Sequence, residues 1–273
     1  MKHIIWVPFS SDRSAYTPDR QWVEERAQIF TTFTLQSILR QNFKDFEIWL
    51  LCGERHREFT EKHDWHPAVQ TVYDYGVARL LDIDDDFVAF TRIDSDDLFH
   101  EDTLLKVDTF ATKMADKHVL VGGVFQDFIV WNRMLRYLAH YRPHAQPPFT
   151  TRIYPKKLYK NNDYFLRTMC TPHGKVTAKV CRYSSIPGSK VCVVKHGTNT
   201  SLVKKGKGPR QFSEKERADL MKTPAVITED QATMEKILLQ YGVYPYYARR
   251  YPDTVFYNNR FNKVIHLEDL EDG

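Results

Sequence analysis

Phe87-Val88-Ala89-Phe90-Thr91-Arg92-Ile93-Asp94-Ser95-Asp96-Asp97 is the stretch on which the reading of this chain turns. Phe87 to Phe90 has the length and apolar character of a buried strand. Three carboxylates in four residues then fall where that strand ends. Along an extended chain, residues two apart point the same way, so Asp94 and Asp96 are expected to face one site together. Two close carboxylates repel unless a cation or a proton lies between them. Carboxylate oxygens in that arrangement suit a hard divalent cation, Mg²⁺ or Mn²⁺. An isolated Asp-x-Asp is also readable as an acidic turn capping the next helix, so its surroundings decide.

Working outward, residues 3–9 form a short apolar run expected to be the first strand, and the polar residues 10–19 a loop. Residues 22–41 carry apolar side chains near helical spacing. Residues 46–52 read as a second strand, 54–62 as a helix, 69–73 as a third strand, and 76–82 as a helix leading to the acidic stretch. Strands alternating with helices predict an α/β fold with a mostly parallel sheet covered on both faces. Ligands bind such sheets at the carboxyl ends of the strands, where the acidic motif falls. Beyond it, residues 101–117 predict an amphipathic helix, and 119–124 and 128–131 two strands separated by Gln126-Asp127. From 132 to 162 the periodicity is lost, and an irregular segment is expected. Residues 173–180 read as a short helix and 190–195 as a strand, followed by His196-Gly197-Thr198-Asn199-Thr200-Ser201. The character then changes to the basic stretch Lys204-Lys205-Gly206-Lys207-Gly208-Pro209-Arg210. Ser213-x-x-Glu216 and Thr228-x-x-Gln231 have the form of capping boxes, the second opening a helix that ends at Tyr241 with Gly242 as its C′ residue.

Several of these pieces stand in a familiar order. Ser37-Ile38-x-x-Gln41 precedes Phe46-Glu47-Ile48, Gly76-x-Ala78-Arg79 precedes the acidic turn at 82–86, and His196-Gly197-x-Asn199-x-Ser201 follows the Arg92-x-Asp94-x-Asp96-Asp97 motif. Over about residues 1–200 the chain resembles GT-A glycosyltransferases of the family 2 type, nearest to their rhamnosyltransferase branch. The resemblance implies a Rossmann-like GT-A domain over 1–203, with a nucleotide-binding half (1–97) and an acceptor half (98–203). Residues 204–273 are then a basic loop and a C-terminal helical extension. It implies transfer of a hexosyl or deoxyhexosyl group from a UDP-, GDP- or dTDP-sugar to a hydroxyl of a glycan or other acceptor, assisted by Mn²⁺ or Mg²⁺.

On that footing Asp96 is expected to bind the metal directly, Asp94 to lie near the metal or the ribose, and His196 to complete the metal shell. Asp97 is expected near the donor sugar or as a helix cap. Ser10 in the first loop, Arg79 and Arg92 are further candidates for the donor, the arginines through its phosphates, with ordinary salt bridges as their plain alternative. Lys204 and Lys205 are expected to close over the diphosphate as a lid, or else to be a solvated loop. An inverting transfer needs a base near the acceptor hydroxyl. Family 2 enzymes take it from a Glu-Asp pair opening a helix, and no such pair stands at the matching place. His173 and Asp127 are the substitutes.

The bulk composition fits this reading. At 273 residues, 42% hydrophobic and 27% charged, the chain is an ordinary globular sequence able to bury a sizeable core. A formal charge of +4 does not by itself imply nucleic acid. Four widely spaced cysteines argue against a zinc site, and Cys52 and Cys192 read as small core side chains. Without a signal-like opening or a membrane-length apolar run, a cytoplasmic protein with free thiols is expected. Two other readings stand beside the first. A nucleotidyltransferase with a related sheet would want a glycine-rich first loop, and residues 10–14 contain no glycine. A nucleic-acid-associated protein, including a glycosyltransferase acting on modified DNA, would use the basic stretches at 156–157, 204–210 and 249–250 with their interleaved tyrosines.

Overall fold

The computed structural model describes residues 1–10, 20–115, 119–133, 137–140, 149–169, 182–196 and 226–245, together with the backbone of Val255–Asn258 and Lys263–His266. Its centre is a ten-stranded mixed sheet. The first half is parallel. β1 (Lys2–Ser10) lies between β2 (Glu47–Cys52) and β4 (Phe87–Arg92), and β3 (Val69–Val72) closes that edge beside β2. β1 shows why: Ile5, Val7 and Phe9 pack into the core on one face, and Ile4 and Trp6 into the core on the other. A strand apolar on both faces needs helices on both faces, which is the parallel α/β arrangement expected from the sequence.

The second half runs differently. β8 (Thr150–Pro155) pairs antiparallel with β4 and with β6 (Val121–Asn132), so the sheet changes polarity at the edge of β4. Beyond β6 lie β7 (Tyr137–His140) and β10 (Val226–Thr228), both antiparallel. β9 (Arg182–Lys195) runs parallel to β6 and also pairs with the short β5 (Leu98–Phe99). β8 falls inside the segment expected to be irregular. Its six residues are all buried, so no polar alternation marks them as a strand. The two strands expected at 119–124 and 128–131 are one strand, with a register shift at Gln126. Its bulge is tied by the Gly188 N–H donating to Gln126 Oε1 and the Gln126 N–H donating to Ser189 Oγ. β11 (Val255–Asn258) and β12 (Lys263–His266) form a separate antiparallel pair.

The long first helix is three segments in succession: α1 (Arg20–Ile29), a π-helical turn (Phe30–Thr34) and α2 (Leu35–Leu39). With α5 (Thr103–Met114), which buries Leu104, Val107, Phe110 and Ala111, it covers one face of the parallel half. Around the edge strands lie α3 (Arg57–Lys62) and α4 (Val77–Leu80). α6 (Lys156–Tyr159) and α7 (Asn162–Met169) follow β8, and Tyr159, Phe165 and Met169 fill the core on the opposite face. Gly76 opens α4 with φ +72°, and a Cβ there would lie 2.6 Å from the Trp49 ring, so the glycine of the Gly-x-Ala-Arg motif is a packing requirement.

The described residues after 204 do not stand apart as an appendage. β10 extends the main sheet, and α8 (Gln231–Leu239) buries Met234 and Leu238 against Trp131, Leu138, Cys192 and Val194. The N-cap of α8 is Asp230, whose carboxylate accepts from the Thr233 N–H at 2.8 Å; Thr228, the expected cap, instead accepts from the Asp230 N–H. Its far end is the expected one. Gly242 takes φ +80°, the Gly242 N–H donates to Leu239 O, and the Val243 N–H donates to Leu238 O, a Schellman closure. No described helix is long and apolar enough to cross a membrane. Cys52 and Cys192 are free and buried, as expected; Cys170 and Cys181 lie outside the described residues.

Candidate functional site

β4 ends in the middle of the sheet, beside the end of β1, and the Ile93 N–H still donates to Trp6 O. The chain then turns: the Asp97 N–H donates to Asp94 O at 3.1 Å. A turn does not keep the two-residue alternation of a strand, so Asp94 and Asp96 do not share partners as the extended-chain argument expected. Arg92, on the face of β4 that holds Phe90, draws Asp94 to that side with two hydrogen bonds to Oδ1, at 2.8 and 3.1 Å. Asp96 turns towards α1. Arg26 reaches its Oδ2 at 2.5 Å, and His196 Nε2 stands 3.1 Å from the same oxygen. Asp97 points into the protein, where its Oδ1 accepts from the Val194 N–H at 2.9 Å; it caps no helix.

His196 comes immediately after β9, a hundred residues from Asp96 in sequence, and the sheet brings them into contact. Two features hold β9 there. β5, directly after the acidic motif, pairs Leu98 with Cys192 and Phe99 with Val191. The Asp97 carboxylate then anchors Val194, two residues before His196. The Ser37-x-x-x-Gln41 residues secure the other side of the same segment. Ser37 Oγ donates to Thr34 O and accepts from the Phe99 N–H. Gln41 is fully buried; its Nε2 donates to Ser37 O and His100 O, and its Oε1 accepts from the Leu104 N–H. The motif residues thus position the acidic turn and the start of α5.

The electrostatics follow from burial and pairing. Burial pushes the Asp96 carboxyl upward, but the charge of Arg26 and the hydrogen bond from His196 outweigh it and hold Asp96 well below the usual carboxylate range. Burial pushes Asp97 well above that range, and the neighbouring charges of Asp96 and Asp94 add to the rise. Burial lowers His196 below its ordinary value, against the opposing pull of Asp96, and Arg26 and Arg133 lower it further. His196 is therefore a neutral imidazole at neutral pH, the form that serves as a metal ligand or hydrogen-bond partner.

Arg26 and Arg133 are the residues that sequence reasoning missed. Arg26 is 4% exposed, and its guanidinium lies over the Trp22 ring at 4.8 Å. It falls within the stripe Trp22, Val23, Ala27 and Phe30 that α1 and the π-helical turn bury, and a charge inside an apolar stripe is the signal that could have found it. Arg133 follows β6, with its guanidinium 5.2 Å from the Phe33 ring centroid and 5.1 Å from that of Trp131.

The other expected site residues are dispersed. Ser10 Oγ accepts from the Gly53 N–H at 3.3 Å and ties the ends of β1 and β2 together. Arg79 is exposed and donates to Gln70 Oε1 on β3, three strands from β4, or about 14 Å at ordinary strand spacing. Asp127 is exposed on β6, in register with Lys190, six residues before His196 and so about 20 Å back along the strands; it does not join this cluster. His173, Lys204 and Lys205 lie outside the described residues.

Whether a divalent cation fits can be judged from the donors. No group of three or more His, Cys, Asp or Glu side chains among the described residues is arranged to hold a metal. Asp96 and His196 offer one oxygen and one nitrogen at strand ends, adequate for an ion that takes its remaining ligands from diphosphate and water. They fit such an ion, and the Arg26 guanidinium now holds the carboxylate oxygen that it would bind.

No protein-family model and no curated protein matches the chain. Among solved structures, TarS of S. aureus is 17% identical and superposes over 71% of this chain and 37% of its own, with a TM-score of 0.38. The inositol-1-phosphate CTP transferase of T. maritima is 11% identical, over 71% of this chain and 89% of its own, with a TM-score of 0.33. The glycosyltransferase GlyE of Streptococcus pneumoniae TIGR4 is 12% identical, over 68% and 45%, with a TM-score of 0.30. The chain thus spans little more than a third of TarS, and likenesses this slight leave the function to the chain's own residues.

Proposed function

We propose that the protein is a glycosyltransferase that moves a hexosyl or deoxyhexosyl group from a nucleotide sugar to an acceptor hydroxyl. The observation that supports this most is the buried Asp96–His196–Arg26 cluster at the carboxyl end of β4, in the middle of a Rossmann-like half-sheet. The leaving group of such a transfer is a nucleoside diphosphate that gains negative charge as the glycosidic bond breaks. Asp96 and His196 would hold Mn²⁺ or Mg²⁺, which when bound supplies positive charge to that diphosphate. Asp96 stays ionised through its pairing, and His196 stays neutral through burial, so both are in ligand form at neutral pH. Arg92 holds Asp94 beside a cleft lined by Trp6, Phe90, Thr150, Arg152 and Met169, where a further part of the donor would lie. A glycan or other hydroxyl-bearing acceptor would approach from the second half of the sheet.

Thermal unfolding with UDP, GDP or dTDP, each with Mn²⁺, Mg²⁺ or chelator, tests the reading. One nucleotide should raise the melting temperature, and only with metal. An equal rise in chelator would remove the metal bridge, and no rise with any nucleotide would remove the donor class. Stabilisation by a nucleoside triphosphate alone would favour nucleotidyl transfer.

A further inference from the structure

We propose that Arg26 is the resident cation of this site and that a divalent ion and the Arg26 guanidinium compete for Asp96. The inference rests on the reading that a divalent ion binds Asp96 and His196. Three distances carry it. Arg26 Nη1 lies 2.5 Å from Asp96 Oδ2, His196 Nε2 lies 3.1 Å from the same atom, and the guanidinium carbon sits 4.8 Å from the Trp22 ring centroid. An ion bonded to that oxygen at about 2.1 Å would lie no farther than about 4.6 Å from Arg26 Nη1, so two positive charges would face each other across a single oxygen. In a site this buried that proximity sets them in competition for the carboxylate.

The arrangement answers the problem posed by the sequence. A buried Asp96, two residues from Asp94, is costly to keep ionised without a positive charge beside it. Arg26 supplies it without metal. When the ion arrives it takes over that task, and the guanidinium, displaced on its flexible stem, carries its charge to the space beside the ion where diphosphate oxygens would lie. Bidentate contact with phosphate is what a guanidinium does well. Ion and nucleotide binding are then coupled: the nucleotide offers Arg26 a second partner, and so lowers the cost of its leaving Asp96.

The test is Mn²⁺ binding, without nucleotide, measured by calorimetry or electron paramagnetic resonance on the full chain. Arg26→Gln should bind Mn²⁺ about tenfold or more tightly than the wild type, because the competing charge is gone. Arg26→Lys should stay near the wild type, and Asp96→Asn should lose binding. Arg26→Gln is also expected to melt lower in chelator and to gain more from Mn²⁺ than the wild type does; should it fail to fold without metal, both proteins are refolded with Mn²⁺ and titrated with chelator, and about tenfold tighter retention of Mn²⁺ by Arg26→Gln supports the competition, whereas equal or weaker retention overturns it. Equal or weaker Mn²⁺ binding by Arg26→Gln, with binding still lost in Asp96→Asn, overturns the role of Arg26 and leaves the metal reading intact. Absence of Mn²⁺ binding in every variant overturns both.

Discussion

Asp96 is the residue on which most of the site depends, and its contacts with Arg26 and His196 make its replacement predictable. Asp96→Asn leaves the Arg26 guanidinium buried beside a neutral amide. Breaking one side of a buried ion pair costs about 3–5 kcal/mol, so urea unfolding in chelator should show a loss of that order. The Asp96→Asn/Arg26→Gln double variant should lose less than the sum of the two single ones. Additive losses would mean that the two groups do not depend on each other. Asp96 and His196 were legible in the sequence because each stands at the end of an apolar run that reads as a strand, and strand ends are where sites form. Arg26 was missed because its partner lies 70 residues away; its place inside the apolar stripe of α1 was the one local signal, and it does not say what the charge pairs with. The turn at 94–97 was also hidden: nothing in Asp-Ser-Asp-Asp distinguishes a continuing strand from a turn.

At the scale of elements, the site depends on how firmly the segment after β4 is held. Gln41→Ala removes all three hydrogen bonds that join α2, His100 and the first turn of α5. The buried groups left behind should cost about 2 kcal/mol or more, measured by denaturant unfolding, and turnover should fall because the acidic turn loosens with them. A variant with wild-type stability would mean that water replaces the amide at no cost. Gly242→Ala tests the closure of α8 on α2. The positive φ is unfavourable for alanine, and its Cβ would meet the Ser37 backbone at 3.0 Å, so a loss of about 1–3 kcal/mol is expected. β1, β2 and β4 were readable because parallel strands buried on both faces are continuous apolar runs. β8 was not, because Thr150, Thr151 and Arg152 are buried polar residues whose partners come from elsewhere: Thr151 meets Thr91, and Arg152 donates to Thr168 O. The start of β9 was obscured by Pro187-Gly188, which reads as a strand boundary and is in fact an irregularity within the strand.

For the molecule as a whole, three histidines outside the site set the response to acid. His3, paired with Asp108 at 3.1 Å, and His63 and His100 are all lowered from the ordinary histidine value, burial being the largest cause in each. Unfolded, these imidazoles take up protons near pH 6.5; folded, they do so only at lower pH. Between those values the unfolded state binds more protons, so stability falls as pH drops below about 6.5 and the fall ends once the folded groups also titrate. Melting temperatures from pH 7.5 down to pH 5 should decline accordingly, and His3→Gln with His100→Gln should flatten the decline; an unchanged slope would place its origin in other groups. The overall α/β architecture was legible from the alternation of runs in residues 1–97. The joining of residues 226–245 to the main core was not, since Met234 and Leu238 find their partners only once β6, β7 and β9 exist.

The span between the acidic turn and its anchor also sets an order of events during synthesis. Asp97 must wait for the Val194 N–H, 97 residues later, and Asp96 for His196. At 5–20 residues per second, that separation is about 5–20 s of translation. Throughout that interval the parallel strands can assemble on the ribosome, but their three carboxylates have no β9 to close over them. Arg26 for Asp96 and Arg92 for Asp94 are made before the carboxylates they hold, so the nascent site carries its own positive charge from the start.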